Sequence, residues 1–361
     1  LGALARRQLL YGDKAEESFL KTISKASLFL IEIPTNIKAY FSDTTTWPLR
    51  VQDRFPDLKG GFSGEPLDFD SFLLLSRYDE DINESLVELV NLKNFKTVHT
   101  WNVDIDKIFK KIANNDTLGI WNKLMVNNNN SRFRYTAILD NQDGSLIFHN
   151  GSPLIKVDQN SNLVWYKDDI YYHHSIEKDA DGNYWVGSAY FPFKIDSKYV
   201  GNTFGKYGDN GIRKISKNGE ILYDKSIGEI FMENSLDYLL YSVGKERQFI
   251  SDPIHLNDIQ PVIKDSKYWK KGDVFISIRN QSMVMLYRPK TNEIIWKGIG
   301  KFFHQHDVDI LDDSRISIFD NKVKSTHDGV IIDGNNRVII YDFETNELSY
   351  YLNESLERED V

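Results

Sequence analysis

Apolar and polar residues alternate in short runs from about residue 70 onward, and the runs come in pairs. VELVNLKNFKTVHTW (87–101), PLIKVDQNSNLVWY (153–166), GIRKISKNGEILY (211–223), VMLYRPKTNEIIW (284–296) and VIIYDFETNELSYY (338–351) share one plan. Each has an alternating strand, a polar turn with Asn or Gly, and a second short strand closing on an aromatic residue. Period-two alternation on both sides of such a turn predicts a β-hairpin. Marked by Trp101, Trp165, Tyr223, Trp296 and Tyr350, the hairpins recur at intervals of 64, 58, 73 and 54 residues, which leaves room for two further strands each time.

The intervening chain supplies those strands: RYTAILDNQDGSLIFHN (134–150), HHSIEKDADGNYWVGS (173–188), HLNDIQPVIKDSKYWKKGDVFISIRN (255–280) and QHDVDILDDSRISIFDN (305–321). Four strands per repeat is the plan of a propeller blade. Five blades can be counted, the first being the least regular, with DSFLLLSRYDEDINESLVELV (70–90) as its visible strands. Because a propeller must close its ring, the expectation is an all-β, six-bladed β-propeller over residues 61–361 with its last blade cut short. Residues 1–60 read differently. AEESFLKTISKASLFLIEI has helix-compatible spacing and WPLRVQDRFPDLKGGFSGEP has the Pro and Gly of an irregular connection, so a short helical N-terminal segment is expected there.

Composition narrows the chemistry. Of 361 residues 13% are aromatic, which fits a β-rich fold, and the net charge of -9 without a basic cluster argues against a nucleic-acid partner. Cysteine is absent, which removes disulfides, thiolate metal sites and a Cys nucleophile. No internal segment approaches the roughly 20 apolar residues that span a bilayer. The opening Leu-Gly-Ala-Leu-Ala is read as the tail of a removed signal or membrane anchor upstream of residue 1.

The eight histidines carry the strongest chemical signal. Aligning the hairpin turns puts His174 and His306 each eight residues before the turn residues Gly182 and Ser314, with Thr136 in the same place before Gly144. His173 falls out of that register. His174, His255 and His306 therefore stand at the starts of first strands in three successive blades, and first strands line a propeller's central channel. Arg279, beyond the turn of the hairpin that His255 opens, can return to the same mouth, where its planar fork of donors suits a tetrahedral oxyanion. Asn257 and Asp258 can orient His255 or cap the strand entry, while Asp307 and Asp320 read as turn residues. His99, His149 and His327 have no place in the pattern and are expected at the surface or in turns. Two other readings stay open: zinc bound by His304-x-His306 in a metal-dependent hydrolase, and a catalytically silent propeller that binds ligands or partners at its channel mouth.

The stretches HHSIEKDADGNYWV, IHLNDIQPV, ISIRNQSMVMLY followed by EIIWKGIG, and HQHDVDILDDSRISIFDN resemble the bacterial arylsulfotransferase family in order and spacing, over residues of about 130 to 350. The resemblance implies a six-bladed propeller that moves a sulfuryl group from an aryl sulfate donor to a phenolic acceptor without a nucleotide cofactor or metal. It implies that His306, in the Gln-His position, is the nucleophile that becomes a sulfohistidine. His255 of His-x-Asn and Arg279 of Ser-x-Arg-x-Gln match residues that bind the sulfuryl group, and His174 matches the upstream His-His motif. His173, Asn257, His304 and Gln305 are expected to complete substrate binding. The large N-terminal β-sandwich of some members has no counterpart in the pattern. Relatives are periplasmic or membrane-anchored facing the periplasm, and the same location is expected here.

Overall fold

The computed structural model describes residues 61–62, 64–79, 82, 84–113, 136–190, 193–196, 207–241, 251–326, 329–332, 334–352 and 354. The N-terminal segment expected to be helical, the Asn run at 127–130 and His327 lie outside the described residues. One compact unit, Pro66–Tyr199 with Tyr207–Val361, holds the repeats.

These fold into five antiparallel blades among the described residues. Blade 1 is β1 (Phe72–Asp79), β2 (Glu84–Asn91) and β3 (Lys96–Trp101), paired in that order. Blade 2 is β4 (Thr136–Asp140), β5 (Ser145–His149), β6 (Leu154–Val157) and β7 (Leu163–Lys167). Blade 3 follows with β8 (Tyr171–Lys178), β9 (Tyr184–Ala189), β10 (Asn210–Ile215) and β11 (Ile221–Ser226), and blade 4 with β12 (Leu256–Pro261), β13 (Val274–Ile278), β14 (Met283–Arg288) and β15 (Glu293–Ile299). Blade 5 is β16 (Val308–Ile310), β17 (Arg315–Asp320), β20 (Arg337–Asp342) and β21 (Glu347–Tyr351), with a separate hairpin of β18 (Val323–Thr326) and β19 (Gly329–Ile332) inserted before β20. The expected sixth blade has no counterpart among the described residues. Two helices also went unforeseen: α1 (Ile105–Ala113) after blade 1 and α2 (Ile227–Glu233) after blade 3. Neither helix, nor any other among the described residues, is long and apolar enough to cross a membrane.

Alternation along the strands builds the core between blades. In β5, Leu146 and Phe148 join Val87, Trp101 and Ile155 between blades 1 and 2, whereas Ile147, between them in sequence, joins Tyr172, Tyr184 and Val186 against blade 3. Ile105, Ile108 and Ile112 present one face of α1 to the first of these clusters. Blades 4 and 5 enclose an aromatic-rich layer of Trp269, Phe275, Phe302, Tyr341 and Phe343. Each such side chain fully buried is worth roughly 1.5–3 kcal/mol of transfer free energy, so these layers dominate the stability of the ring. Asp side chains close the inner turns: Asp179 Oδ1 accepts from the Asp181 and Asn183 backbone N–H groups, both at 2.9 Å. Gly182 supplies the left-handed backbone at the same turn, φ +80°.

First strands of successive blades adjoin in the order β1, β4, β8, β12, β16 and form the inner wall. Side-chain to backbone bonds lock their stagger: Ser175 Oγ accepts from Ile259 N–H at 3.2 Å and Asp258 Oδ2 from Val308 N–H at 3.0 Å. Asn257 Nδ2 donates to the Gln305 carbonyl at 2.8 Å.

Candidate active site

Three histidine rings meet on the inner wall: His255 and His306 just before β12 and β16, as expected, and His174 inside β8, three residues past its start rather than at it. The His174 ring centroid lies 5.2 Å from that of His255 and 6.3 Å from that of His306. His174, His255 and His304 all have left-handed backbones, with φ of +62°, +51° and +52°. Non-glycine residues rarely adopt this conformation, and it is tolerated where the surroundings over-determine it. β-Bulges at His173/Ile176 and Leu256/Asp258 accompany the first two, re-aiming side chains at the strand mouths.

Each ring is held from behind. Asp252, three residues upstream, grips His255 twice: Oδ2 is 2.5 Å from the ring Nδ1, and Oδ1 accepts the backbone N–H at 3.1 Å. The carboxylate can only accept, so Nδ1 carries the proton and Nε2 presents its lone pair forward. His306 is fixed by backbone pairing, its N–H donating to the Phe319 carbonyl at 2.8 Å, and its Nδ1 is 3.0 Å from the Asn321 amide. The loop before it is anchored by fully buried Asp320, which accepts from Phe303 N–H and from Arg337 Nε, both at 2.7 Å. Burial pushes the His306 and His304 rings below the ordinary histidine value, and the Arg279 charge works in the same direction. His174 is driven to about 2, first by burial and then by the neighbouring histidines. It stays neutral across the physiological range.

Arg279 opens the 3-10 turn Arg279–Gln281 after β13. Its backbone N–H donates to the His255 carbonyl at 3.0 Å and its Nε to Asn280 Oδ1 at 3.0 Å. Burial lowers its affinity for the proton, yet a guanidinium remains charged. Among the described residues no carboxylate pairs with it. Asp252 reaches it only through its field, and a fixed cation with no carboxylate in salt-bridge range among the described residues, beside imidazole rings, is a site for an anion.

The other expected binding residues sit farther back. His173 is buried behind His174, their Nδ1 atoms 2.7 Å apart. Asn257 and Gln305 are both buried; Gln305 uses its Nε2 on Ser277 and the Met283 carbonyl, at 3.2 and 2.9 Å. His304 is only half-buried, near Arg279 and His255. His149, expected at the surface, is instead 1% exposed. It ends β5 next to His173, and burial pushes it down to about 3. His99 lies on β3 with Nε2 2.8 Å from the Gln159 carbonyl.

Sequence reasoning missed Asp252 and Asn321, which orient the histidines. It also missed a group of carboxyls on the same inner strands. Glu177 is held up to about 8 by burial and by Asp258, Asp307 and Asp309, and Asp258 up to about 7 by burial and Asp307. Among the described residues no group of three or more His, Asp or Glu is placed to hold a metal ion.

A family model described as arylsulfotransferase (ASST) matches residues 136–361, covering blades 2 to 5 and every residue of the site. The chain belongs to the arylsulfotransferase family. Membership supports arylsulfotransferase activity in general terms, with small-molecule aryl sulfates and phenols as the substrate class. No curated protein matches the chain. Three solved structures resemble it distantly. A Bacteroides caccae protein of unknown function is 11% identical, covering 78% of this chain and 72% of that one at a TM-score of 0.43. Hydrazine synthase of Kuenenia stuttgartiensis is 9% identical, covering 73% and 59% at 0.38. The Dos1 propeller is 11% identical, covering 79% and 62% at 0.39.

Proposed function

We propose that this arylsulfotransferase moves a sulfuryl group from an aryl sulfate to a phenol through a sulfohistidine at His306. The observation that carries the reading is the convergence of His174, His255 and His306 beside Arg279, whose charge has no carboxylate partner among the described residues. In the first half-reaction the His306 Nε2 lone pair attacks sulfur, the S–O(aryl) bond breaks, and the phenolate departs with the electron pair. That requires the His306 proton on Nδ1. Rotating the Asn321 amide so that its oxygen faces the ring would accept this proton, and the two ends of an amide are interchangeable by such a flip.

Arg279 offers its guanidinium to the sulfuryl oxygens, where charge builds up in both half-reactions. In the second half-reaction the acceptor hydroxyl attacks sulfur as its proton passes to His255 Nε2, and the N–S bond breaks to restore the His306 lone pair. That proton then leaves with the next phenolate. Neutral His174 contributes a hydrogen bond rather than a charge. The scheme takes no cofactor. It is tested by following phenol release from p-nitrophenyl sulfate and sulfation of a second phenol in wild type and His306→Ala; transfer that survives the substitution refutes it.

The same proposal includes a six-bladed ring and export to the periplasm, free or membrane-anchored. Blade 5 supports the sixth blade: on its face turned from blade 4, Phe319, Val338 and Tyr351 stand in one cross-strand row, with Tyr351 57% exposed. A crystal structure of the full-length protein closed with five blades would refute the first part. Recovery of the protein in the cytoplasmic fraction of its host would refute the second.

A further inference from the structure

His173 is buried, and among the described residues its ring makes one polar side-chain contact, to its neighbour. Its Nδ1 lies 2.7 Å from the Nδ1 of His174 while the two rings stand edge to face at 85°. Two ring nitrogens at that distance share one proton, so one histidine is donor and the other acceptor. Among the described residues His173 Nε2 is buried with no hydrogen-bond partner. The Ser188 carbonyl lies near the ring but outside hydrogen-bond geometry for Nε2. A buried N–H left without an acceptor is rarer in folded proteins than an under-used lone pair. The bare nitrogen of His173 is therefore Nε2, and its proton is on Nδ1.

The ring is held in this pose on three sides. Tyr171 stacks on it, centroids 5.9 Å apart and planes 26° from parallel. Across the sheet the partner of His173 in β9 is Gly187, where a Cβ would come within 2.7 Å of the His173 carbonyl oxygen. Fully buried His149 lies on the blade 2 side.

We propose that His173 is a positioning residue: by donating Nδ1–H to His174 Nδ1 it fixes His174 as the Nε2–H tautomer, aimed as a hydrogen-bond donor between His255 and His306. The inference rests on the sulfuryl-transfer reading for its catalytic meaning but not for its geometry. Burial holds both rings well below the ordinary histidine value, so neither leaves this neutral pairing near pH 7. In the reaction, the His174 Nε2–H then meets a sulfuryl or leaving oxygen without a proton having to be taken up first.

Two measurements test this. In the full chain labelled with 15N-histidine, the expected spectrum from pH 6 to 9 has a protonated Nδ1 and bare Nε2 on His173, and the reverse on His174. The opposite assignment overturns the proposal whether or not the protein transfers sulfate. In steady-state release of nitrophenol from p-nitrophenyl sulfate, His173→Phe lowers kcat by about 10- to 100-fold while KM stays within about threefold. His173→Asn, which keeps a donor at the Nδ1 position, restores most of the loss. Wild-type kcat in a folded His173→Phe protein overturns the positioning role and leaves sulfuryl transfer intact. Absence of nitrophenol release from wild type defeats the transfer reading, and the spectrum still decides the tautomer.

Discussion

Asp252→Asn separates the two half-reactions. Asp252 Oδ1 receives the His255 backbone N–H at 3.1 Å, and Oδ2 faces Nδ1 at 2.5 Å. Its own carbonyl accepts from Asn280 Nδ2 at 2.7 Å, a bond the substitution leaves untouched. An asparagine keeps the backbone bond with its oxygen, which turns its NH2 toward Nδ1. Nδ1 must then accept, the ring proton moves to Nε2, and the lone pair that takes the acceptor's proton disappears. The fold and the sulfuryl-binding groups remain. Loss of a positioned base costs about 10²–10⁴ in rate, or roughly 3–5 kcal/mol of activation free energy, and inverting the tautomer of a catalytic histidine by an Asp-to-Asn change costs about 10⁴ in the serine protease triad. Nitrophenolate is a stable leaving group and does not need the proton. Stopped-flow mixing with p-nitrophenyl sulfate should therefore give a burst of one nitrophenol per site in Asp252→Asn, followed by turnover at least about 100-fold slower than wild type. Undiminished turnover would refute the role of the Asp252–His255 pair, and a missing burst would show that His255 acts earlier, in sulfuryl capture.

Two other perturbations act through different physics. Arg279→Met removes the guanidinium and should lower kcat/KM for p-nitrophenyl sulfate by about 10²–10³, with Arg279→Lys intermediate because it keeps the charge but not the fork; equal losses in the two variants would contradict a forked contact. Glu177 ordinarily ionises near 4.5 but is held up to about 8 in the fold. The folded protein thus keeps a proton that the unfolded chain releases as pH rises through that window, and the carboxyl increasingly costs stability toward neutral pH. Glu177→Gln should match wild type in urea denaturation near pH 4 and gain on it from pH 5 to 8, by less than about 1.4 kcal/mol per pH unit; a constant difference across that range would refute the half-buried, protonated Glu177.

Much of this architecture was readable in the sequence because most blades repeat two hairpins of alternating strands around polar turns. That register placed His174 and His306 eight residues before their turns and predicted that they face one channel; His306 precedes β16, whereas His174 lies within β8. Arg279 followed from the return of the same hairpin. What stayed hidden depends on tertiary contact. The His173–His174 bond needs the bulge at His173/Ile176, which no pattern announces. His149 is buried by a neighbouring blade, and Asn321 reaches His306 only because β17 pairs back past it. The β18–β19 hairpin interrupts blade 5 at residues to which the sequence pattern assigned no element. Asp252 was within reach: an acceptor three residues before a strand-opening histidine is a spacing that a search for ring-orienting partners would find.

The central claim is that His306 carries the sulfuryl group. Full-length protein is mixed with p-nitrophenyl sulfate without acceptor, quenched at alkaline pH to preserve an acid-labile N–S bond, and its intact mass and peptide map are measured beside His306→Ala. The account predicts one added sulfuryl group on the wild-type peptide containing His306 and none on the variant. An adduct on another residue, or the same adduct in His306→Ala, would contradict it.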